Sequence, residues 1–220
     1  MARSQARRVA VLVSGRGTNL QALLDAVAAP DYPARIARVV SNVPGAGALA
    51  RAEAAGVPVA VIDHRPFGKD RSAFEAALTA ELEACGAELV CLAGFMRLLT
   101  DGFVARWRDR LINIHPSLLP AFKGLDTHAR VLAAGVRFTG CTVHYVRPAM
   151  DAGPIIAQAV VPVRPEDTAQ TLAARVLVEE HRLLPAVVRW WAEGRLHPEG
   201  EVVTVAGAIT PAAGLVNPTA

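Results

Sequence analysis

The chain is poor in cysteine and aromatic residues and has no long apolar run. Its three cysteines, Cys85, Cys91 and Cys141, are odd in number and form no CxxC pair, which argues against a disulfide framework and against a thiolate zinc site. They are expected to be buried thiols. Hydrophobic residues make up 52% of the 220, yet no stretch reaches the roughly 18 to 20 residues of a membrane-spanning helix. Met1 to Arg8 is polar and basic and leads directly into Val9 to Val13, without the apolar core or cleavage site of a secretory leader. A soluble, cytoplasmic protein with no membrane partner is the expectation. Aromatics are 5% of the chain and no basic stripe interleaves with them, so nucleic acid is not an expected partner. The formal charge of +3 suits phosphorylated or carboxylated ligands, although Arg3, Arg7 and Arg8 supply much of the excess.

What the chain does contain is a repeated strand-then-helix pattern. Arg8 to Val13 reads as an apolar strand, Ser14 to Thr18 as a turn, and Asn19 to Ala29 as a helix with apolar residues at helical spacing. The pattern recurs with Ile36 to Val40 and Ala46 to Ala55, then with Val57 to Ile62 and a helix over Arg71 to Cys85. Glu88 to Ala93 and Leu111 to Ile114 add two short strands whose near-continuous apolar character suits burial on both faces. Further on, Cys141 to Val146 and Ile155 to Val163 flank the turn-rich Arg147 to Pro154. A long amphipathic helix is predicted over Thr168 to Trp191, with Pro185 as a candidate kink. The predicted fold class is α/β: a Rossmann-like parallel sheet flanked by helices, with a mixed or antiparallel C-terminal extension of the sheet. Residues 1–220 read as one domain, with 1–7 and about 208–220 as candidates for disorder. Open sheets of this kind bind ligands beyond the carboxyl ends of their strands, so function is expected there.

Gly15-Arg16-Gly17-Thr18-Asn19 stands where a strand gives way to a helix, which offers backbone N–H groups and a positive helix end to a phosphate. Leu20 takes the place of the third glycine of a dinucleotide fingerprint, and Ser41-Asn42 that of its acidic residue, so an NAD site is not expected. The Lys-Ser or Lys-Thr pair of an ATP-binding loop is missing too. A phosphate or phosphoribosyl cradle and an ordinary tight turn fit this loop equally well. Asn113 and His115 interrupt an apolar strand at i and i+2, a spacing that puts both side chains on one sheet face. Burying an amide and an imidazole together is costly unless both find partners, which favours a site over accidental core placement. Asp151 lies in the turn Met150 to Pro154, from which a carboxylate could reach the imidazole. Judged on its residues alone, that turn is explained more simply by an aspartate that shapes it.

Four segments, in order along the chain, are Ser14-Gly15-Arg16-Gly17-Thr18-Asn19-Leu20-Gln21-Ala22, Leu92-Ala93-Gly94-Phe95-Met96-Arg97, Asn113-Ile114-His115-Pro116-Ser117-Leu118-Leu119-Pro120 and Met150-Asp151-Ala152-Gly153-Pro154. Together they resemble the phosphoribosylglycinamide formyltransferase family, over about residues 8–196. The resemblance implies transfer of the formyl group of 10-formyltetrahydrofolate, a co-substrate, to the amine of glycinamide ribonucleotide in purine biosynthesis, with no metal. It matches Asn113, His115 and Asp151 to catalytic residues, and Gly17, Thr18 and Asn19 to the loop holding the phosphoribosyl substrate. Glu180 matches a substrate-contacting glutamate, and Arg71, Met96, Arg97, Leu98 and Leu99, with Asn113, match positions that contact the formyl-folate. Asn113 and a protonated His115 would stabilise the oxyanion of a tetrahedral intermediate, with Asp151 maintaining the acid. The implied partners are these two small molecules, and the chain is expected to be a monomer or homodimer. The alternative is a formyltetrahydrofolate hydrolase, in which water replaces the amine. Such enzymes usually carry an N-terminal regulatory domain, for which a first strand near Arg8 leaves no room. Arg16 and Lys123 depart from the family pattern, and Arg16 is expected to face solvent. His128, His144 and His181 lie near matched segments and receive no role beyond hydrogen bonding.

Overall fold

In the computed structural model residues 6–218 are described, so 1–5 and 219–220, two stretches expected to lack order, lie outside the described residues. Strand β1 (Arg7–Val13) takes in Arg7, one of the residues 1–7 expected to lack order. The reason is lateral pairing: the Arg7 N–H donates to Pro33 O at 3.0 Å, and its guanidinium meets Glu88 and lies 3.8 Å over the Trp191 ring. Then follow α1 (Thr18–Val27), β2 (Ala34–Ser41), α2 (Gly47–Ala54), β3 (Val59–Val61), α3 (Arg71–Ala84) and β4 (Leu89–Leu92). The second half comprises α4 (Asp101–Arg106), β5 (Leu111–His115), α5 (Thr127–Ala133), β6 (Phe138–Tyr145), β7 (Ile155–Pro162), α6 (Ala169–Ala192), β8 (Leu196–Glu199) and β9 (Val202–Val205).

All nine strands form one sheet in the order β3-β2-β1-β4-β5-β6-β7-β9-β8. The first five are parallel to one another, β6 is antiparallel to both β5 and β7, and β9 returns parallel to β7. The predicted α/β class with a mixed C-terminal extension is what forms. Alternate residues of β1 feed two cores: Val9, Val11 and Val13 pack with α1 and α6, whereas Ala10 and Leu12 pack with Phe74, Leu78 and Leu82 of α3. The order reverses at β1, whose neighbours β2 and β4 lead away in opposite directions, and this switch point opens a crevice for ligands.

Local chemistry fixes the helix starts. The Asp70 carboxylate accepts from Ala73 N at 2.9 Å to begin α3, and Thr168 and Thr171 bond each other's main-chain N–H groups in a capping box at the start of α6. Pro185 does not interrupt α6, which continues to Ala192; the Pro185 carbonyl instead accepts from the Tyr32 hydroxyl at 2.7 Å. Amphipathic α6 packs across the sheet, and no described helix is long and apolar enough to cross a membrane. Helices α4 and α5 are six and seven residues long, too short for a periodic signal to stand out. The hairpin β8–β9 also departs from the reading of Gly194 to Ala220 as weakly patterned: its exposed alternate residues dilute the apolar signal, and pairing of Val202 with Ile155 fixes it to the sheet. Beyond it, 208–218 has no regular structure, although Asn217 Nδ2 donates to the carbonyls of Arg137 and Val163. Cys91 and Cys141 are buried as expected, but Cys85, at the end of α3, is only partly so.

Backbones approach closely at Gly140 of β6, where an added Cβ would fall 1.8 Å from Ala159 O. Gly140→Ala is therefore expected to lower stability by about 2–3 kcal/mol in urea unfolding. Gly102→Ala on exposed α4, which meets nothing closer than Thr100 Oγ1 at 3.8 Å, should be neutral or stabilising. Equal midpoints for the two variants would contradict this packing.

Candidate active site

Past the carboxyl ends of β4 and β5 lies a cleft of about 680 Å³. Its floor is the extended segment Gly94 to Leu99, and Asn113 and His115 form its inner end. The loop after β6, Arg147 to Asp151, closes one side, and Gly124 to Ala129 the other.

Asn113 and His115 share a face of β5, as their spacing requires. Pairing with β6 sets Asn113 opposite His144 and His115 opposite Thr142. Buried His144 makes two hydrogen bonds: Nδ1 faces Tyr145 O at 2.9 Å and Nε2 faces Asn113 Nδ2 at 3.2 Å. A carbonyl only accepts, so Nδ1 carries hydrogen and Nε2 offers its lone pair to the Asn113 amide. That bond fixes the amide's orientation and leaves the second Nδ2 hydrogen free for another acceptor. Burial holds the His144 pKa below the ordinary histidine value, which keeps the ring neutral and this arrangement intact.

His115 is held from both sides. Its Nε2 donates to Phe122 O at 3.0 Å, and Nδ1 lies 3.4 Å from Asp151 Oδ2. Both partners are acceptors, so each ring nitrogen faces an oxygen. Asp151 gets there through a tight turn: its own φ is +46°, Gly153 has φ +119°, and a Cβ on Gly153 would fall 2.1 Å from Tyr145 O. The same carboxylate oxygen accepts from Gly124 N at 2.7 Å, tying the two side walls together. The structure thus unites Asn113, His115 and Asp151.

Glu180 comes from α6, 8% exposed, and its Oε2 accepts from Asn19 Nδ2 at 2.6 Å. Burial raises its pKa, opposed by the Asn19 hydrogen bond and, more weakly, by His115. Asn19 Oδ1 and His181 Nε2 are both buried without a hydrogen-bond partner. Gly17, with φ +73°, precedes α1, and its lack of a Cβ lets Ala48 of α2 sit within 2.6 Å of where that atom would be. Thr18 and Asn19 then open α1, with their main-chain N–H groups at its positive end. The Arg16 side chain is exposed, and its carbonyl accepts from Arg51 Nε at 2.9 Å.

Met96 and Leu98 each stand 64% exposed along the cleft, and Arg97 and Leu99 line it with them. Arg71 is set apart: it begins α3, is exposed, and is not among the residues lining the cleft. Three groups have roles more specific than the sequence implies, where His128 and His144 are given hydrogen bonding alone and Ser14 no role of its own. His144 orients Asn113, His128 lines the cleft with a buried, unpartnered Nδ1, and Ser14 links the glycine loop to the cleft floor. Alternation along β6 put Thr142 and His144 on one face, but only the β5–β6 register shows which residues they meet. Among the described residues no group of three or more His, Cys, Asp or Glu side chains is arranged to hold a metal ion.

Comparisons with known proteins agree with this geometry. Residues 7–188 match the formyl transferase family model. The chain is 39% identical to a phosphoribosylglycinamide formyltransferase of Haemophilus influenzae, over 96% of this chain and 99% of that one. It is 51% identical to the trifunctional purine biosynthetic protein adenosine-3 of Gallus gallus over 85% of its own length, but spans only 18% of that longer protein. Among solved structures, glycinamide ribonucleotide transformylase 1 of Symbiobacterium toebii superposes with a TM-score of 0.88 at 46% identity, covering 93% of this chain and 95% of the other.

Because burial lowers the His144 pKa from 6.5, the unfolded chain takes up a proton at a higher pH than the folded one. Its contribution to stability is present above that value and is lost as pH falls from 6.5 towards the folded value. The expected outcome is that His144→Gln narrows the gap in urea midpoint between about pH 7.5 and about pH 5.5. An unchanged gap would show that His144 is not the neutral, buried partner of Asn113.

Proposed function

The chain belongs to the formyl transferase family, and from that premise we propose that it transfers the formyl group of 10-formyltetrahydrofolate to the amine of glycinamide ribonucleotide, a step of purine biosynthesis. The observation that carries this reading is the junction of two ligand regions at one reacting point. The cleft ends at Asn113, His115 and Asp151, its floor is tied through Met96 to Ser14 of the glycine loop, and Glu180 is bonded to Asn19 of the same loop. We place the reaction in the cytoplasm and assign it to the chain as a single domain with two small-molecule ligands.

The residues present fit a reduced folate. The cleft lies within the size range of small-molecule sites, with apolar side chains of Leu92, Phe95 and Val104 to pack a ring. No described residue hydrogen-bonds to the main chain of Arg97 or Leu98, which leaves those groups for the polar edge of a pterin. The exposed Arg71 would meet the anionic glutamate tail beyond the cleft. At the other end, the N–H groups of Gly17, Thr18 and Asn19 would receive the phosphate of the ribonucleotide, and Glu180 would orient its amine.

The amine nitrogen attacks the formyl carbon, a C–N bond forms, and the formyl oxygen gains negative charge. Asn113 donates its free Nδ2 hydrogen to that oxygen, and His115, when protonated, stabilises it by charge. Asp151, set against Nδ1, orients the imidazole. When the intermediate collapses, the bond to N10 breaks, and the proton released by the amine ends on N10. Products are the N-formyl amine and tetrahydrofolate.

Consumption of 10-formyltetrahydrofolate should depend on added glycinamide ribonucleotide and yield the formylated product in equal amount. Consumption in water alone would instead identify a hydrolase. Asn113→Ala and Asp151→Asn should each lower kcat by about a hundredfold or more, with smaller changes in KM. Undiminished turnover by folded Asp151→Asn would remove Asp151 from the mechanism.

A further inference from the structure

The cleft floor is an extended strap, Gly94 to Thr100, between β4 and α4, with no ladder of its own to hold it. Phe95 turns inward, Met96 and Leu98 turn outward, and Leu99 packs partly against the core. A segment of this kind keeps one shape only if its ends are tied, because each free residue regains about 1–2 kcal/mol of backbone entropy.

Two ties are present. Near the start, Ser14 N donates to Gly94 O at 3.1 Å, and Ser14 Oγ accepts from Met96 N at 2.8 Å while donating to Asn42 Oδ1 at 2.5 Å. At the far end stands Glu75 of α3, only 5% exposed. Its Oε1 accepts from Thr100 N at 2.6 Å, and its Oε2 takes the Thr100 hydroxyl in a short hydrogen bond. Thr100 Oγ1 in turn accepts from Phe103 N at 3.3 Å, so the carboxylate also fixes where α4 begins.

Burying a carboxylate is costly, and an apolar side chain of similar size would fill the space on α3 equally well. Spending both oxygens on one residue of the strap makes sense only if the strap must hold a particular course. We propose that Glu75 is a positioning residue for the folate: by gripping Thr100 opposite the Ser14 tie, it sets the main chain of Arg97 and Leu98 in register to meet the ligand. The inference rests on the formyl-folate reading of the cleft. Glu75 touches neither the reacting atoms nor the glycine loop, so its influence falls on one substrate and not the other.

The test uses the full chain and the variants Glu75→Met, which keeps the bulk and loses both acceptors, and Glu75→Gln. The glutamine amide can accept from Thr100 N and donate to Thr100 Oγ1. Equilibrium binding of tetrahydrofolate is measured by calorimetry, alongside KM for each substrate. Glu75→Met should weaken tetrahydrofolate binding and raise the formyl-donor KM by about tenfold, with kcat and the ribonucleotide KM within about threefold of the unmodified enzyme. Glu75→Gln should recover most of that loss. Should Glu75→Met fail to fold, Thr100→Val, which deletes the gripped hydroxyl, should show the same selectivity at smaller size. Unaltered tetrahydrofolate binding, a parallel rise in both KM values, or no recovery with glutamine would overturn the proposal. No tetrahydrofolate binding by the unmodified protein would remove the formyl-folate reading, and this inference with it.

Discussion

The site depends on the antiparallel pairing of β5 with β6. Had β5 been flanked by a sixth parallel strand, the chain would have left through another crossover helix and returned far from His115. Reversal instead sets His144 directly across from Asn113 and lets the loop after β6 fold back to His115. Gly153 makes that return possible, since its missing side chain gives room to the Tyr145 carbonyl.

Around this pairing, two imidazoles have different surroundings. His144 lies among strands and is kept neutral by desolvation, with its bare nitrogen turned to the Asn113 amide. His115 faces a carboxylate and a carbonyl instead. A neutral acceptor orienting one amide donor, beside a second imidazole, serves a reaction in which an oxygen acquires charge. Glu180 adds a buried carboxyl, tied to Asn19 and so to the glycine loop.

The two ligand regions meet because β1 and β4 are adjacent at the point where strand order reverses. Ser14, the first residue after β1, bonds both ends of the neighbouring peptide stretch at Gly94 and Met96, so the glycine loop and the cleft floor share one anchor. The sheet carries the geometry and the loops carry the chemistry, a division common to α/β enzymes.

Much of this was legible in local sequence. Strand-then-helix periodicity revealed the parallel half of the sheet, because alternation and helical spacing are properties of a few consecutive residues. The i, i+2 spacing of Asn113 and His115 fixed their common face for the same reason, and Gly17 marked a turn that only a residue without a side chain could make beside Ala48. The short helices α4 and α5 and the hairpin β8–β9 escaped because their brief patterns mean little without the surfaces they pack on. What tertiary structure alone decided are the long-range partners: His144 for Asn113, 31 residues away, Gly124 for Asp151, 27 away, and Thr100 for Glu75, 25 away. Side-chain direction along a strand or helix follows from the backbone repeat, whereas the identity of a distant partner is set by strand register and loop path, which no local repeat encodes.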